Sequence, residues 1–380
     1  MKRRYFEPRP NFGRSHMDIS FHHHAVRCDD GKPYWTEGVA YEFTLRQIEL
    51  IEEVTDRLHA MCMETVEQMI TSGDYPAEFR LSEAAKRAIE LSWTRGDVHV
   101  YGRFDLMYDP VTDAVKMYEY NADTPTSLLE SAIAQWQWLE EVCGEHDQFN
   151  SIHEKLIERW RLAKGDFESP MLHLFASKLG QYEDWGNLEY MADTAVQAGW
   201  SVHMEEIEAI GYDSDSVEFV DRIFEPVDFA FKLYPWEWMM ADPFGECLNG
   251  CPTQWFEPAW KMLLSNKAIL PVLWSRYPDH PNLLPAYFEE VDGYVRKPIL
   301  GREGANIHRN DRLVDGSHFI LEYDDGYVYQ EYAPLPEIDG QYPVIGSWMI
   351  GDDAAGMGIR EDQTLISGNG SHFVPHYFLN

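Results

Sequence analysis

The chain has 380 residues, with 65 acidic against 31 basic side chains and a formal charge of −34. That balance argues against nonspecific nucleic-acid or anionic-membrane partners, which need a basic surface. Hydrophobic residues make up 44% of the chain, enough for a substantial core, and no run reaches the roughly eighteen apolar residues of a transmembrane helix.

Residues 1–10 are basic but lead into proline and polar residues, without the apolar centre of a signal peptide, so a cytoplasmic protein is expected. The first thirty or so residues read as aromatic-rich loop. Phe43, Leu45, Ile48, Ile51, Val54, Leu58, Met61 and Val66 then recur at helical spacing, which predicts a helix ending near Gly73. Ser82-Glu83 opens a second helix through about Trp93. Two strand-like runs, 98–105 and 117–124, flank the turn formers Asp109-Pro110-Val111-Thr112-Asp113. A helix over 126–142 follows, and these helices read as scaffold behind the hairpin.

The pattern changes near residue 165. Strands at 171–176, 201–207 and 228–233 alternate with a helix through 192–197, predicting a small parallel sheet. From Lys267 onward the pattern becomes β-rich, with strands at 319–323, 327–332, 342–350 and 356–360 and a turn at Asp324-Asp325-Gly326. The expected organisation is helices and hairpin in 1–164, an α/β substrate-side unit in 165–260, and a β-rich nucleotide-binding lobe in 261–380. No linker separates them, so one interdigitated catalytic unit is expected. Five cysteines do not make a disulfide framework in a chain of this size. Cys247 and Cys251 are spaced like metal ligands but lack a second pair nearby, and His22-His23-His24 has no partner motif.

The hairpin carries chemistry. Alternate strand residues share a face, so Arg103 pairs with Asp105 on one strand and Glu119 with Asn121 on the other. A turn centred on Thr112 sets Asp105 opposite Glu119 and Arg103 opposite Asn121. Facing carboxylates repel, and a hard divalent cation such as Mg²⁺ would remove that penalty. An exposed hairpin with a chance Arg–Glu pair is the structural alternative. Farther on, Lys297 ends a strand-like run, and Gly301 and Gly304 bracket a loop carrying Arg302. Glycines let backbone N–H groups approach phosphate oxygens, and the cations supply countercharge. This is neither a P-loop nor a dinucleotide fingerprint, and a glycine-bearing turn is the plainer explanation of the loop alone.

Taken in order, five segments resemble the synthetase half of glutathionylspermidine synthase and its relatives, the acid–amine ligases of the ATP-grasp superfamily. They are Gly102-Arg103-Phe104-Asp105 with Tyr118-Glu119-Tyr120-Asn121-Ala122-Asp123, the run 266–274, Lys297 through Arg302, Tyr329-Gln330-Glu331, and Gly358-Ile359-Arg360. The resemblance implies an α/β (α+β), ATP-grasp-like fold with two lobes of antiparallel sheet, helices, and a small parallel α/β subdomain. It implies ATP and Mg²⁺, with Asp105, Glu119 and Asn121 on the metal. Arg103 would contact the nucleotide and stabilise the transition state, with Arg302 and Arg360 as further catalytic cations. Lys267 and Lys297 would meet the phosphates, with Arg302, Glu303 and Gly304 in the loop over them. Gln330, Glu331, Tyr332 and Ala333 would meet the adenine, and Leu365, Ile366 and Ser367 would line the same cleft. Thr124 falls where the family contacts its acid substrate. In the family the parallel-sheet segment also helps bind that acid, which brings in Glu183, Asp184 and Lys232.

The implied reaction is attack of a carboxylate on the γ-phosphate of ATP, then displacement of phosphate from the acyl phosphate by an amine. By analogy the substrates are a glutathione-like peptide and a polyamine, and an acidic exterior favours a polycation. An acidic surface for solubility or for a salty cytoplasm accounts for the charge equally well. No separate amidase region with a catalytic cysteine precedes these segments, so hydrolysis is not expected. A noncatalytic nucleotide- or peptide-binding regulator with an inherited cleft is the rival class.

Overall fold

The helix Leu45–Ser72 starts at a capping box: Thr44 accepts from the Gln47 amide, and the Gln47 side chain accepts from the Thr44 amide. It ends at Gly73 in the left-handed region, φ 66°. The helix Glu83–Arg95 repeats that grammar, with Ser82 as N-cap and Gly96 at φ 69°. Both helices are where the apolar spacing puts them. The computed structural model describes residues 1–10, 28, 31–178, 182–301, 306–309, 312–313, 326–365 and 371–379. The stretch 319–323, its turn residues Asp324 and Asp325, and His22-His23-His24 lie outside the described residues.

Three sheets position the site. The first, here the hairpin sheet, is antiparallel in the order 372–374, 353–362, 342–350, 101–109, 114–121. The buried stripe Ile48, Ile51, Val54, Leu58 and Val66 of the long helix belongs to the main core cluster, which also holds Ile345, Met349, Met357 and Ile359 of this sheet. The second, the lysine sheet, is antiparallel in the order 286–287, 327–330, 295–298, 308–309, 312–313. The third is a four-stranded parallel sheet in the order 254–256, 229–233, 171–176, 201–206, with the helix Tyr182–Gln197 crossing between its strands. The chain thus adopts the expected mixed architecture of two antiparallel sheets, helices and a small parallel unit.

The hairpin has the expected register, Asp105 opposite Glu119 and Arg103 opposite Asn121. Its strands run farther toward the turn than expected, Tyr101–Asp109 and Ala114–Asn121, because Asp109 closes the turn by accepting from the Val111 amide and the Thr112 hydroxyl. Pairing steps from Asp105–Glu119 to Leu106–Met117, so Tyr118 is the extra residue of a bulge.

Four local expectations need correction. Residues 2–5 form a strand paired with Val39–Thr44, held partly by the two-pronged bond of Arg3 to Glu361 at 2.9 and 2.8 Å. The chain after Met262 is not β-rich at first: Met262–Ser265 and Ile269–Arg276 are helices, with Pro271 in a first turn that needs no amide from it. The helix Ile152–Lys164 was not signalled. The helix expected over 126–142 contains a π turn at Glu130–Ala134 before Gln135–Val142. All five cysteines are free thiols. Among the described residues no helix is long and apolar enough to cross a membrane.

Candidate active site

The site grows from the hairpin's polar face. Arg103 lies along the strand and donates to its neighbour Asp105, from Nε to Oδ1 at 2.8 Å and from Nη2 to Oδ2 at 3.4 Å. Its Nη1 donates to the Thr126 carbonyl at 2.7 Å, fixing the guanidinium at a second point. Arg360, two strands away in the same sheet, donates to Asp105 Oδ2 at 3.0 Å. Desolvation opposes the charge of the buried Arg103, but Asp105 outweighs it and the guanidinium pKa is raised. Between them runs the strand Tyr342–Ile350, where Gly346 sits directly opposite Asp105. A Cβ at Gly346 would stand 2.8 Å from Arg103 Cδ, so the bare glycine is what lets the arginine lie flat. Trp348, opposite Arg103, adds a ring whose centroid is 5.7 Å from the guanidinium carbon.

The second half comes from downstream. Lys267 Nζ lies 3.0 Å from Glu119 Oε2 and donates to the Gly301 carbonyl at 2.5 Å. Asn121 Nδ2 donates to Glu119 Oε1 at 3.3 Å. Lys297 donates to Gln330 Oε1 at 2.6 Å and to the Tyr118 carbonyl at 3.4 Å, with Gln330 Nε2 reaching the Met117 carbonyl at 3.4 Å. The bulge at Tyr118 makes this junction: its carbonyl meets Lys297, its hydroxyl donates to the Ala333 carbonyl at 2.6 Å, and its ring lies 5.4 Å from the ammonium. A cleft of about 210 Å³ opens beside Glu119, Asn121 and Lys267.

Electrostatics follow from this packing. Burial by itself would raise the Glu119 carboxyl, but Lys267 and Lys297 outweigh it and hold it at about 2. Burial pushes the Lys297 ammonium down to about 8, against the pull of Glu119. Four cations, Arg103, Arg360, Lys267 and Lys297, surround two carboxylates, Asp105 and Glu119. The site is therefore locally positive in a chain of charge −34. It can receive a polyanion that the rest of the surface repels.

The structure thus brings Arg103, Asp105, Glu119, Asn121, Lys267, Lys297, Gln330 and Arg360 into one region. Glu331, Tyr332 and Ala333 continue from the lysine sheet: Glu331 is exposed, with its amide on the Pro285 carbonyl, and Tyr332 lies under Arg309 at 3.7 Å. Thr124 is half-buried, between the buried Asp123 and Thr126, whose carbonyl binds Arg103. Leu365 is exposed beyond the strand Asp353–Asp362. Arg302, Glu303, Gly304, Ile366 and Ser367 lie outside the described residues. Lys232 is not a surface group: it is fully buried and donates to Asp123 at 2.5 Å. Asp184 is half-buried near the start of its helix, and the side chain of Glu183 lies outside the described residues. Sequence reasoning missed Gly346, Tyr118 and the Asp123–Lys232 pair. A glycine inside an otherwise apolar strand was the available signal for Gly346; nothing local marked the other two.

Comparison with known proteins bears on the family and the fold. The chain is 46% identical over 389 residues to a "putative acid–amine ligase" of Haemophilus influenzae, covering 98% of each. It is 30% identical over 375 residues to trypanothione synthetase of Crithidia fasciculata, covering 88% of this chain but only 55% of that longer protein. Among solved structures, a glutathione synthetase-like effector of Globodera pallida in apo form superposes with a TM-score of 0.58 at 10% identity, over 98% of both chains, a likeness of fold alone. The fold is ATP-grasp-like, and the glutathionylspermidine synthase preATP-grasp family matches residues 3–379, so the chain belongs to that family.

Proposed function

We propose that this protein is an ATP-dependent ligase that joins a carboxylic acid to an amine through an acyl phosphate. One observation carries the reading: four cations drawn from distant parts of the chain, Arg103, Lys267, Lys297 and Arg360, converge on the oxygen-rich hairpin, with a cleft opening beside Glu119, Asn121 and Lys267. Lys267 and Lys297 suit the phosphates of ATP. Arg103 and Arg360 are held by Asp105 where they can spread the charge of a phosphoryl group in transfer. Positioning and charge account for such chemistry, so no nucleophilic side chain is needed.

The donor set also fits Mg²⁺. Asp105 and Glu119 face each other across the ladder with Asn121 beside them, an all-oxygen set of the kind a hard cation takes. Asp105, Glu119 and Asn121 would hold the ion, which would supply Lewis-acid neutralisation of the phosphate oxygens when bound. Lys267, now 3.0 Å from Glu119, would suit a phosphate oxygen equally well, which would leave that carboxylate to the ion. Glu331, Tyr332, Ala333 and the stretch 365–367 are proposed for the adenine, Arg302, Glu303 and Gly304 for a cover that keeps water from the acyl phosphate, and Thr124 for the acid. The substrates proposed are a glutathione-like peptide and a polyamine-like base, whose positive charge suits the acidic surface.

The test is direct. Protein incubated with MgATP, pooled thiol peptides and amines should yield, by mass spectrometry, a condensation product lighter by one water, with ADP and phosphate. Lys297→Ala and Asp105→Asn should each abolish it in folded protein. Product formed by those variants would sink the site assignment, and tight ATP binding without turnover on any pool would favour a noncatalytic binder.

A further inference from the structure

Behind the hairpin, on the face away from the proposed nucleotide, His59, His99 and Asp352 meet. Each comes from a different element: the long helix, the approach to the strand Tyr101–Asp109, and the turn between Tyr342–Ile350 and Asp353–Asp362. His59 Nε2 and His99 Nε2 lie 3.2 and 3.1 Å from the same carboxylate oxygen, Asp352 Oδ1. One donor atom from each residue lies within 4.8 Å of the other two, and among the described residues this is the one group of three His, Cys, Asp or Glu side chains so placed. None of the three takes part in the proposed ligase chemistry.

We propose that His59, His99 and Asp352 form a binding site for a borderline divalent transition metal of the Zn²⁺ type. Two imidazoles and one carboxylate are a donor set that such ions take and that Mg²⁺ does not favour. Ligand atoms about 2.0–2.1 Å from a tetrahedral ion stand roughly 3.3 Å apart, close to the two separations already present. The histidines are buried at 3% and 5% exposure, whereas the Asp352 side chain is 63% exposed. The site therefore has a solvent side through which an ion can enter and a water can complete the shell.

The neighbours hold the donors in place. His59 Nδ1 lies 3.2 Å from the Tyr120 hydroxyl, the outer partner that fixes a ligating ring. Packing fixes His99: its ring stands edge-on to Trp260 at 5.2 Å, and Arg159 Nε donates to its carbonyl at 2.6 Å. Asp56 accepts from the Ala354 amide at 2.7 Å and so pins the turn that presents Asp352. Tyr120 sits between Glu119 and Asn121 in the hairpin, so an ion here would brace the strand that carries the proposed Mg²⁺ ligands from behind. The site is structural: it cross-ties helix, strand and turn.

The full chain, stripped with chelator, is titrated with Zn²⁺ and separately with Co²⁺ in excess Mg²⁺ and without nucleotide. A single equivalent should bind, with a rise in melting temperature. Co²⁺ should show the visible bands of a nitrogen–oxygen site without the near-ultraviolet band of thiolate ligation. Asp352→Ala, at an exposed turn, and His59→Gln should each weaken binding roughly tenfold or more, while Asp105→Asn should leave it unchanged. Absence of saturable binding, a thiolate band, or an affinity unmoved in both Asp352→Ala and His59→Gln would overturn the proposal. Because no step uses ATP, its failure and failure of the ligase reading are separable.

Discussion

Lys267 Nζ lies 3.0 Å from Glu119 Oε2, tying the residue just ahead of the helix Ile269–Arg276 to the second strand of the hairpin. Lys267→Met keeps the length of that tie and removes its charge. A hydrogen bond to a charged group is worth about 1.5–3 kcal/mol. MgATP affinity, read by isothermal titration, is expected to fall about tenfold or more, with a modest drop in melting temperature. Unchanged affinity would remove Lys267 from the phosphate site.

The Lys297 ammonium gives the site a pH limit. Burial holds its pKa at about 8, below its ordinary 10.5, so it is charged below that point and loses its charge above it. Nucleotide affinity should therefore be highest below pH 8 and decline as pH rises through it, an effect that bound phosphate moves upward. Lys297→Arg keeps its charge throughout and should shift the falling limb to higher pH. A profile of the parent protein that stays flat to about pH 9.5 would contradict this assignment, since only an unshifted lysine keeps its charge that far.

Gly346 offers a test that removes no charge. A Cβ there meets Arg103 Cδ at 2.8 Å, and Arg103 is pinned at both Asp105 and the Thr126 carbonyl, so it cannot swing clear cheaply. Overpacking of this kind costs about 1–3 kcal/mol. Gly346→Ala should remain folded in circular dichroism and lose turnover by an order of magnitude or more, with a smaller change in nucleotide affinity. Full turnover in this variant would mean that the guanidinium position is not critical.

The buried pair of Lys232 and Asp123 joins the parallel sheet to the end of the hairpin, with both side chains at 1% exposure or less. Asp123 also accepts from the Trp236 amide at 3.0 Å. Lys232→Met strands a buried carboxylate, for which about 3–5 kcal/mol of destabilisation is expected. Adding Asp123→Asn should restore much of it. Urea midpoints of the two single variants and the double variant measure the coupling, and strictly additive losses would argue against a paired interaction.

How much of this was legible in the chain depends on range. Caps and turns act within a few residues, so Ser82, Gly73 and the Asp109 turn announced their elements, whereas the pairing of Asp105 with Glu119 also needs the bulge, because the turn pairs Asp109 with Ala114 and by itself would set Asp105 opposite Tyr118. The apolar run at 262–276 was ambiguous because a short buried helix and a buried strand share the same hydrophobic content. The strand at Lys2–Tyr5 owes its place to Arg3 meeting Glu361, a contact no local pattern records. Lys232 entered as a substrate candidate because the resemblance implies acid binding by its segment, and its buried partner, Asp123, stands in another segment. The Tyr118 bulge was hidden for a related reason: one extra residue in one strand shows only against its neighbour.

The interleaving of the hairpin sheet bears on biogenesis. Strand Tyr101–Asp109 has Ala114–Asn121 on one side, but its other neighbour is Tyr342–Ile350, which is made much later. During synthesis the nascent hairpin must therefore wait with one row of amides and carbonyls unmatched, an invitation to wrong partners. Chaperone demand should peak before the ribosome reaches that late strand and end once it has emerged.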